Sequence, residues 1–506
     1  MQYAEGVAIA MRKLGHEVKL VFTTRAETLA SICTVVLKEE HERRKKAKEP
    51  FLEADGRKKF WKKWHEDNAI FISEALGIDG GPAENKFLTG ILVAPSMSKH
   101  LVHHMQEVIQ ADGAHTSFGK YTLFSAYAST ANGNMVNLAF GMLFGNEDLR
   151  NWTHFWEFVV NVHPTINRPQ VTILTDQDKG SINVVCGCIP LAFNFHCSFH
   201  RKENIIKNCG CASGKNPKSA LFLFNLLRNC NNLDQLQRTK TEHLQELYKK
   251  DRHYLTKLDD NRQFAAARCA MGDDISMYGR LASSSVESMN RANIIVREKT
   301  AVDILNAAML LLKLEGERFQ WWQKIAQSRD MVMTPKGQAL MDAAFDRVNV
   351  REFRQSLIEN EDQYLMTVQS NRLGSKEYYV ALPKVPYKGS YFGNCTCGFP
   401  AKEGIPCKHM IVVQKSSVIP EITRTDMMPH YWTTALWKIQ YAEDIVANTN
   451  INISSVKAKY RPNEKLKYCP DWSIGKKRGR SKKREKQMTV MERGAASSHK
   501  KRVNAE

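Results

Sequence analysis

Tyr121-Thr-Leu-Phe-Ser-Ala-Tyr-Ala-Ser-Thr130 and Met135-Val-Asn-Leu-Ala-Phe-Gly-Met-Leu-Phe144 are two runs rich in aromatic and aliphatic residues, joined by Ala131-Asn-Gly-Asn134. An Asn-Gly pair supplies the positive φ that a tight turn between twisted strands needs, so the stretch predicts a β-hairpin. Around it lies a chain of 506 residues with 43% hydrophobic content, enough for real cores and for several domains. No apolar run approaches the roughly 20 residues of a membrane-crossing helix. Met1 to Phe22 is interrupted by Glu5, Arg12, Lys13, Glu17 and Lys19, which does not fit a secretory signal, so an intracellular protein without membrane association is expected. Its 12 cysteines would be reduced there and, where they cluster, are read as metal ligands or core residues.

Outward from the hairpin the pattern stays regular. Val108 to Asp112 is a short apolar run ending in Asp-Gly. Asn151-Trp-Thr-His-Phe-Trp-Glu-Phe-Val-Val-Asn-Val-His163 is an amphipathic helix that follows Asp148 and stops at Pro164. Val171 to Thr175 reads as a buried strand, a helix starts near Asp178, and Leu191 to His196 reads as another strand. Three strands, helix, strand, helix, strand is the order of an RNase H-like α/β core, although several α/β folds share pieces of it. Lys218 to Met271 and Val302 to Phe345 carry helical periodicity.

Metal-dependent phosphoryl transfer needs carboxylates that converge from separate elements to hold Mg²⁺ or Mn²⁺. Asp112 ends the first predicted strand, Asp176 ends the fourth, and Glu287 in Ser283-Ser-Ser-Val-Glu-Ser-Met-Asn290 lies on a later helix. Each has a plain structural reading: a turn at Asp112-Gly113, a helix cap at Asp176, and a capping box over Ser284 to Glu287.

In order and spacing, Asp112-Gly-Ala-His-Thr-Ser-Phe-Gly-Lys120, Asn137-Leu-Ala-Phe-Gly141, Asn151-Trp-Thr-His-Phe155, Leu174-Thr-Asp-Gln-Asp-Lys-Gly180, Cys197-Ser-Phe-His200 and Val286-Glu-Ser-Met-Asn290 resemble the successive blocks of Mutator-like (MULE) transposases. The resemblance implies an RNase H-like catalytic core interrupted by a helical insertion, with Asp112, Asp176 and Glu287 as its acidic triad. Asp178 competes with Asp176, and Asp273 and Asp274 with Glu287. Cys197 and His200 have the spacing of half a metal site, which Cys186, Cys188, Cys209 or Cys211 could complete; buried thiols and a structural histidine are the alternative.

Asn394-Cys-Thr-Cys-Gly-Phe-Pro-Ala-Lys-Glu-Gly-Ile-Pro-Cys-Lys-His409 brings Cys395, Cys397, Cys407 and His409 within 15 residues. A Cys₃His set satisfies tetrahedral zinc and suits a structural site. Strands are expected at Tyr378 to Leu382 and Gly389 to Phe392, and a helix from Met410. The spacing resembles the SWIM zinc finger, a module that binds DNA or protein and follows the transposase domain in many Mutator-like proteins.

The formal charge of +20 is uneven. Gly475 to Glu506 holds twelve Lys/Arg against three Asp/Glu, and Lys38 to His65 holds eleven against six, so these two segments carry most of the excess. Arg57 to Trp64 interleaves aromatics with cations, as a phosphate-binding helix or a solvated one would. Lys476, Lys477, Arg478, Arg480, Lys482, Lys483 and Arg484 resemble an AT-hook in which Ser481 replaces the usual proline, and they also form a nuclear import signal.

The expected organisation is a basic helical region over 1–84, a transposase domain over 85–315 with its insertion at about 215–272, and a helical connector over 316–375. A SWIM module over 376–420, an extension over 421–474 and a disordered basic tail over 475–506 follow. Mutator-like transposases often carry an N-terminal zinc-binding or WRKY-like domain, but only Cys33 precedes Asp112; either the copy is decayed or truncated, or Lys38 to Trp64 substitutes as a helical DNA contact. The implied function is DNA transposition in the nucleus, by an oligomer assembled on DNA. The alternatives are a transposase-derived transcriptional regulator that binds DNA without cutting it, and an adaptor acting through the SWIM module.

Overall fold

The computed structural model describes residues 2–23, 37, 40–67, 87–116, 121–176, 181–210, 214–257, 276–282, 284–293, 304–358, 363–372, 374–416, 419 and 422–442. Its larger sheet has seven strands: β1 (Glu17–Thr23), β2 (Phe87–Ala94), β3 (Val108–His115), β4 (Tyr121–Ser129), β5 (Met135–Phe144), β6 (Thr172–Thr175) and β7 (Phe193–His196). They lie in the order β1-β2-β5-β4-β3-β6-β7. Pairing is antiparallel from β1 across to β3, then parallel between β3 and β6 and between β6 and β7.

The predicted hairpin is β4 to β5. Gly133 takes φ +73°, and its N–H donates to the Thr130 carbonyl at 2.7 Å, closing the turn. Nearly every residue of β4 and β5 is buried, because these central strands are covered on both faces and so read as continuous apolar runs. The helix Leu149–Val162 begins where Asp148 accepts from the Asn151 N–H at 2.9 Å, and it ends ahead of Pro164. It lays Trp152, Phe155, Trp156 and Val159 against Phe124, Ala126 and Leu138. Trp152 meets Phe124 edge to face at 4.8 Å; truncating such a buried aromatic to alanine costs about 3–5 kcal/mol.

After β7 the helix Ser198–Cys209 stops at Gly210, φ +74°. The helices Ala220–Asn229, Leu233–His243 and Lys249–Lys257 follow, packed around Ile205, Leu221, Phe224, Leu227 and Leu236. The predicted helical stretch is therefore observed as far as the described residues reach. The helices Ser284–Ala292 and Ile304–Gln327 return to the large sheet.

Three segments differ from the sequence expectation. The region over 1–84 is not wholly helical: Glu17–Thr23 pairs with β2 as the sheet's edge strand, burying Val18 and Val21. The stretch over 316–375 is helical only to Phe345, after which β8 (Phe353–Ile358) and β9 (Gln363–Ser370) form half of a second, antiparallel sheet. Its order is β11-β10-β9-β8, with β10 (Glu377–Pro383) and β11 (Asn394–Cys395). Gly389 to Phe392 is not a strand; Lys388 and Gly389, both at positive φ, turn the chain between Tyr387 and Ser390, and the strand forms at Asn394 instead.

The last described segment folds back onto the large sheet. The helix Thr434–Gln440 places Trp437 in the core around Trp152, with Tyr441 beside it, and the Gln440 side chain accepts from the Ala131 N–H at 2.8 Å. No described helix is long and apolar enough to cross a membrane. Residues 443–506, including the basic tail, lie outside the described residues.

Candidate functional site

Strand pairing aligns the first two predicted carboxylates. β3 and β6 pair in parallel with Val108 opposite Thr172, Ile109 opposite Ile173 and Gln110 opposite Leu174, a constant offset of 64 (172 − 108). Carried two residues beyond the last paired positions, that register would set Asp112 opposite Asp176 (176 − 112 is again 64) on strands about 4.8 Å apart. Residues paired this way share a face of the sheet, so the two carboxylates start from neighbouring positions. Asp176 follows the end of β6, but Asp112 does not end its strand as expected: β3 stays paired to β4 through Gly113 and on to His115, so there is no turn at Asp112-Gly113. Asp112 is 8% exposed, and its partner on β4 is the buried Ser125.

The next strand extends the row. β6 and β7 pair with Thr175 opposite His196, and the Cys197 N–H donates to the Thr175 carbonyl at 2.8 Å, which brings Cys197 alongside Asp176. One turn into the following helix stands His200. Burial pulls its pKa down, but its hydrogen bond to Cys197 and the charges of Cys197, Asp176 and Asp112 outweigh burial and raise it to about 9. Both aspartates therefore lie close enough to act on this imidazole through space. The structure thus sets the Cys197-x-x-His200 motif beside the two aspartates. Of the cysteines that could have completed a second zinc site, Cys186 is exposed, Cys188 and Cys209 are half-buried, and Cys211 lies outside the described residues.

Glu287 lies on the helix Ser284–Ala292, which packs against β3, the strand that carries Asp112. That helix is anchored at its far end by a buried polar network with no sequence signature of catalysis. The Asn293 side chain donates to the Tyr127 hydroxyl at 3.2 Å and accepts from Arg318 at 2.9 Å. Tyr127 and Arg318 both donate to Glu315 Oε1, at 3.2 and 2.9 Å. The available signal was Glu315 itself, a carboxylate within the apolar run Leu311-Leu-Lys-Leu-Glu-Gly-Glu-Arg-Phe319 with Arg318 three residues on. Asp178, Asp273, Asp274 and the basic residues from Lys476 to Arg484 lie outside the described residues.

The Cys₃His cluster is the one group of three or more metal-ligating residues brought together among the described residues. Cys395 comes from β11 paired to Val380, Cys397 from the turn after it, Cys407 from the cap of the helix Lys408–Lys415, and His409 from that helix. All four ligand atoms lie within 4.8 Å of one another, with Cys395 Sγ at 3.5 Å and Cys407 Sγ at 3.8 Å from His409 Nδ1. Zinc–sulfur bonds of about 2.3 Å and zinc–nitrogen bonds of about 2.0–2.1 Å give tetrahedral edges of about 3.6–3.8 Å, so the two distances to His409 match a zinc tetrahedron and the whole set lies within about 1 Å of one. Hydrogen bonding from Cys395 and Cys407 holds the Cys397 thiol far below its usual range. Sharing that bond pushes Cys395 up, and burial pushes Cys407 up. The His409 ring is stacked on Tyr378 at 4.1 Å, which fixes its plane.

The cluster also docks on the helices after β7. Gly398, at φ +74°, lets the turn between Cys397 and Phe399 approach the Asn231 carbonyl so closely that a Cβ would lie 1.9 Å from it. Asn232 donates to the carbonyls of Thr396 and Cys397, both at 3.3 Å, and the buried Lys402 ammonium donates to the Asn229 carbonyl at 3.1 Å.

Residues 108–204 match the family model described as MULE transposase domain, and no curated protein matches the chain. The matched span begins with β3 and ends within the helix Ser198–Cys209, so it contains Asp112, Asp176, Cys197 and His200, while Glu287 and the Cys₃His cluster lie beyond it. Both aspartates thus lie within the span that matches the MULE transposase domain, and the chain bears C-terminal to it a Cys₃His cluster compatible with a SWIM zinc finger.

Proposed function

We propose that the protein is a Mutator-like DNA transposase, or a direct derivative of one, that hydrolyses a phosphodiester at a transposon end and joins the freed 3′-hydroxyl to target DNA. The observation that carries this reading is the parallel register of β3 and β6 inside the matched span, which, extended by two residues, aligns Asp112 with Asp176. The strand order β5-β4-β3-β6-β7, antiparallel then parallel, supports an RNase H-like core, and the helices between Ala220 and Lys257 support a helical insertion ahead of the helix with Glu287.

The donors fit a hard divalent cation. Two carboxylates side by side offer only oxygen, and near-complete burial of Asp112 lowers the local dielectric, which strengthens attraction to a cation. Asp112 and Asp176, with Glu287 as third carboxylate, would hold Mg²⁺ or Mn²⁺; bound there, the metal supplies activation of a water or 3′-hydroxyl and stabilises the leaving oxygen. The chain's own contribution is position. β3 and β6 fix the two aspartates, the Glu315–Arg318–Asn293–Tyr127 network fixes the helix of Glu287, and the charge of His200 balances the aspartates while no cation is bound.

In the same reading the Cys₃His cluster binds structural zinc as a SWIM finger, the substrate is DNA held by an oligomer, and the basic tail directs the protein to the nucleus. The test is divalent-metal-dependent nicking and strand transfer on terminal-repeat duplexes, comparing wild type with Asp112→Asn, Asp176→Asn and Glu287→Gln. Loss of activity in each variant with DNA affinity retained is the expected result. An inactive wild type that still binds DNA would leave the non-cleaving regulator as the better description.

A further inference from the structure

Beside the zinc ligands lies a cavity of about 330 Å³ that the chemistry above does not use. Its wall carries Arg347, Arg372, Lys376 and Lys408, and Glu352 is its only acidic lining residue. All four cations are exposed, and among the described residues none of them is in an ion pair, whereas the neighbouring Arg424 is bound to Asp342 and Asp346. The first comes from the segment after the helix Pro335–Phe345, the next two from the turn between β9 and β10, and the last from the helix that carries His409. Four like charges drawn from three segments into one concavity repel one another unless an anion is present.

The floor is aromatic and tied to the zinc cluster. Lys408 sits over the Phe353 ring at 5.7 Å and Lys376 over Tyr378 at 6.0 Å, and Tyr378 is stacked on His409. These contacts hold both ammonium groups over the aromatic floor. At roughly 30 Å³ per water the space equals about eleven water molecules, more than a single phosphate group occupies.

We infer that this cavity is a phosphate-binding site that grips the nucleic-acid backbone next to the zinc module. The inference deepens the proposed function, since it assigns DNA contact to the Cys₃His module. Sequence-independent backbone contact suits the residues, because four cations face a single carboxylate and the neutral polar lining includes Asn349, Ser370 and Ser375. Glu352 opposes binding and limits affinity.

The test is a salt titration of affinity for a 30-base-pair duplex by fluorescence anisotropy, using the full chain. The variants are Arg347→Gln/Arg372→Gln and Glu352→Gln, exposed substitutions that leave the metal ligands and their aromatic neighbours in place. Loss of two phosphate contacts should lower the slope of log K against log salt by about 2 and weaken binding at least about tenfold for every duplex sequence. Glu352→Gln should tighten it. An unchanged slope in the double variant overturns the inference and leaves the nicking reaction untouched; a lowered slope in a protein that never nicks upholds the inference while the transposase reading fails. A parallel arm with inorganic phosphate separates sources: thermal stabilisation by phosphate that the double variant loses, without any change in DNA affinity, marks a free-phosphate site and overturns the assignment to DNA. Binding of an acidic peptide in place of DNA overturns it as well.

Discussion

Replacing Gly398 by alanine isolates the contact that joins the zinc cluster to the helices after β7. Two costs add at this position. At φ +74° a Cβ is strained by about 1 kcal/mol. The added methyl would also lie 1.9 Å from the Asn231 carbonyl oxygen and 2.7 Å from its carbon, so the turn must retreat by more than about 1 Å to reach ordinary contact. That retreat lengthens the two 3.3 Å bonds from Asn232 and disturbs the turn between Cys395 and Cys397, adding about 1–3 kcal/mol. The total is about 2–4 kcal/mol. Gly374 provides the control, because it has the same φ of +74° with nothing within 4 Å of its Cβ position, so Gly374→Ala should cost only the strain. Urea unfolding followed by tryptophan fluorescence would compare the two alanines with wild type, and zinc content would be measured alongside. Equal losses in the two variants would refute the close approach.

Asp176→Asn should lower the His200 pKa from about 9 towards the ordinary histidine value, as read from the imidazole resonances in an NMR pH titration. Because the folded value lies above the unfolded one, the stabilisation from charged His200 is complete below about pH 6.5 and is lost as pH rises through about 9; the Asn variant should lose stability over a narrower range. Glu315→Ala should cost about 1–3 kcal/mol in the same urea assay, since it removes the acceptor of the buried Tyr127 hydroxyl, while the part-exposed Arg318 keeps Asn293 and water as partners. Cys407→Ser should reduce bound zinc from one per chain to none in elemental analysis, and retention of the metal would remove the Cys₃His assignment.

Much of the large sheet was legible because its strands are marked locally. Asn132-Gly133 announces the hairpin, and Asp148 and Pro164 bracket the helix after β5. Asp176 was legible as a strand-terminal carboxylate, whereas Asp112, expected to end its strand, lies inside β3 because Gly113 to His115 stay paired to β4; how the two align depends on which strands pair in parallel, and no local signal gives that. β1 was obscured by its polar alternation: Glu17, Lys19 and Thr23 interrupt Val18, Leu20 and Val21 in the half-buried pattern of an edge strand within a charged region. β8 went unread for a related reason, since most of its residues are exposed and offer little apolar period. The Cys₃His cluster was fully visible, as its four residues lie within 15 positions. Their docking on Asn229, Asn231 and Asn232 was not, because polar residues at a helix boundary look like ordinary caps. The cationic cavity is likewise invisible in sequence: Arg347, Arg372, Lys376 and Lys408 stand up to 61 positions apart (408 − 347) and meet only when β8 to β10 pair.

The central claim is that Asp112 and Asp176 act together on a divalent metal, and a change of ligand softness tests it directly. Asp176→Cys replaces a hard oxygen donor with a soft sulfur at one position of the pair. Nicking of a terminal-repeat duplex by this variant should fall at least about a hundredfold in Mg²⁺ and recover substantially in Cd²⁺, while wild type prefers Mg²⁺ or Mn²⁺. Full activity of Asp176→Cys in Mg²⁺ would contradict the account, because a carboxylate that holds the reacting metal cannot be exchanged for a thiol without consequence.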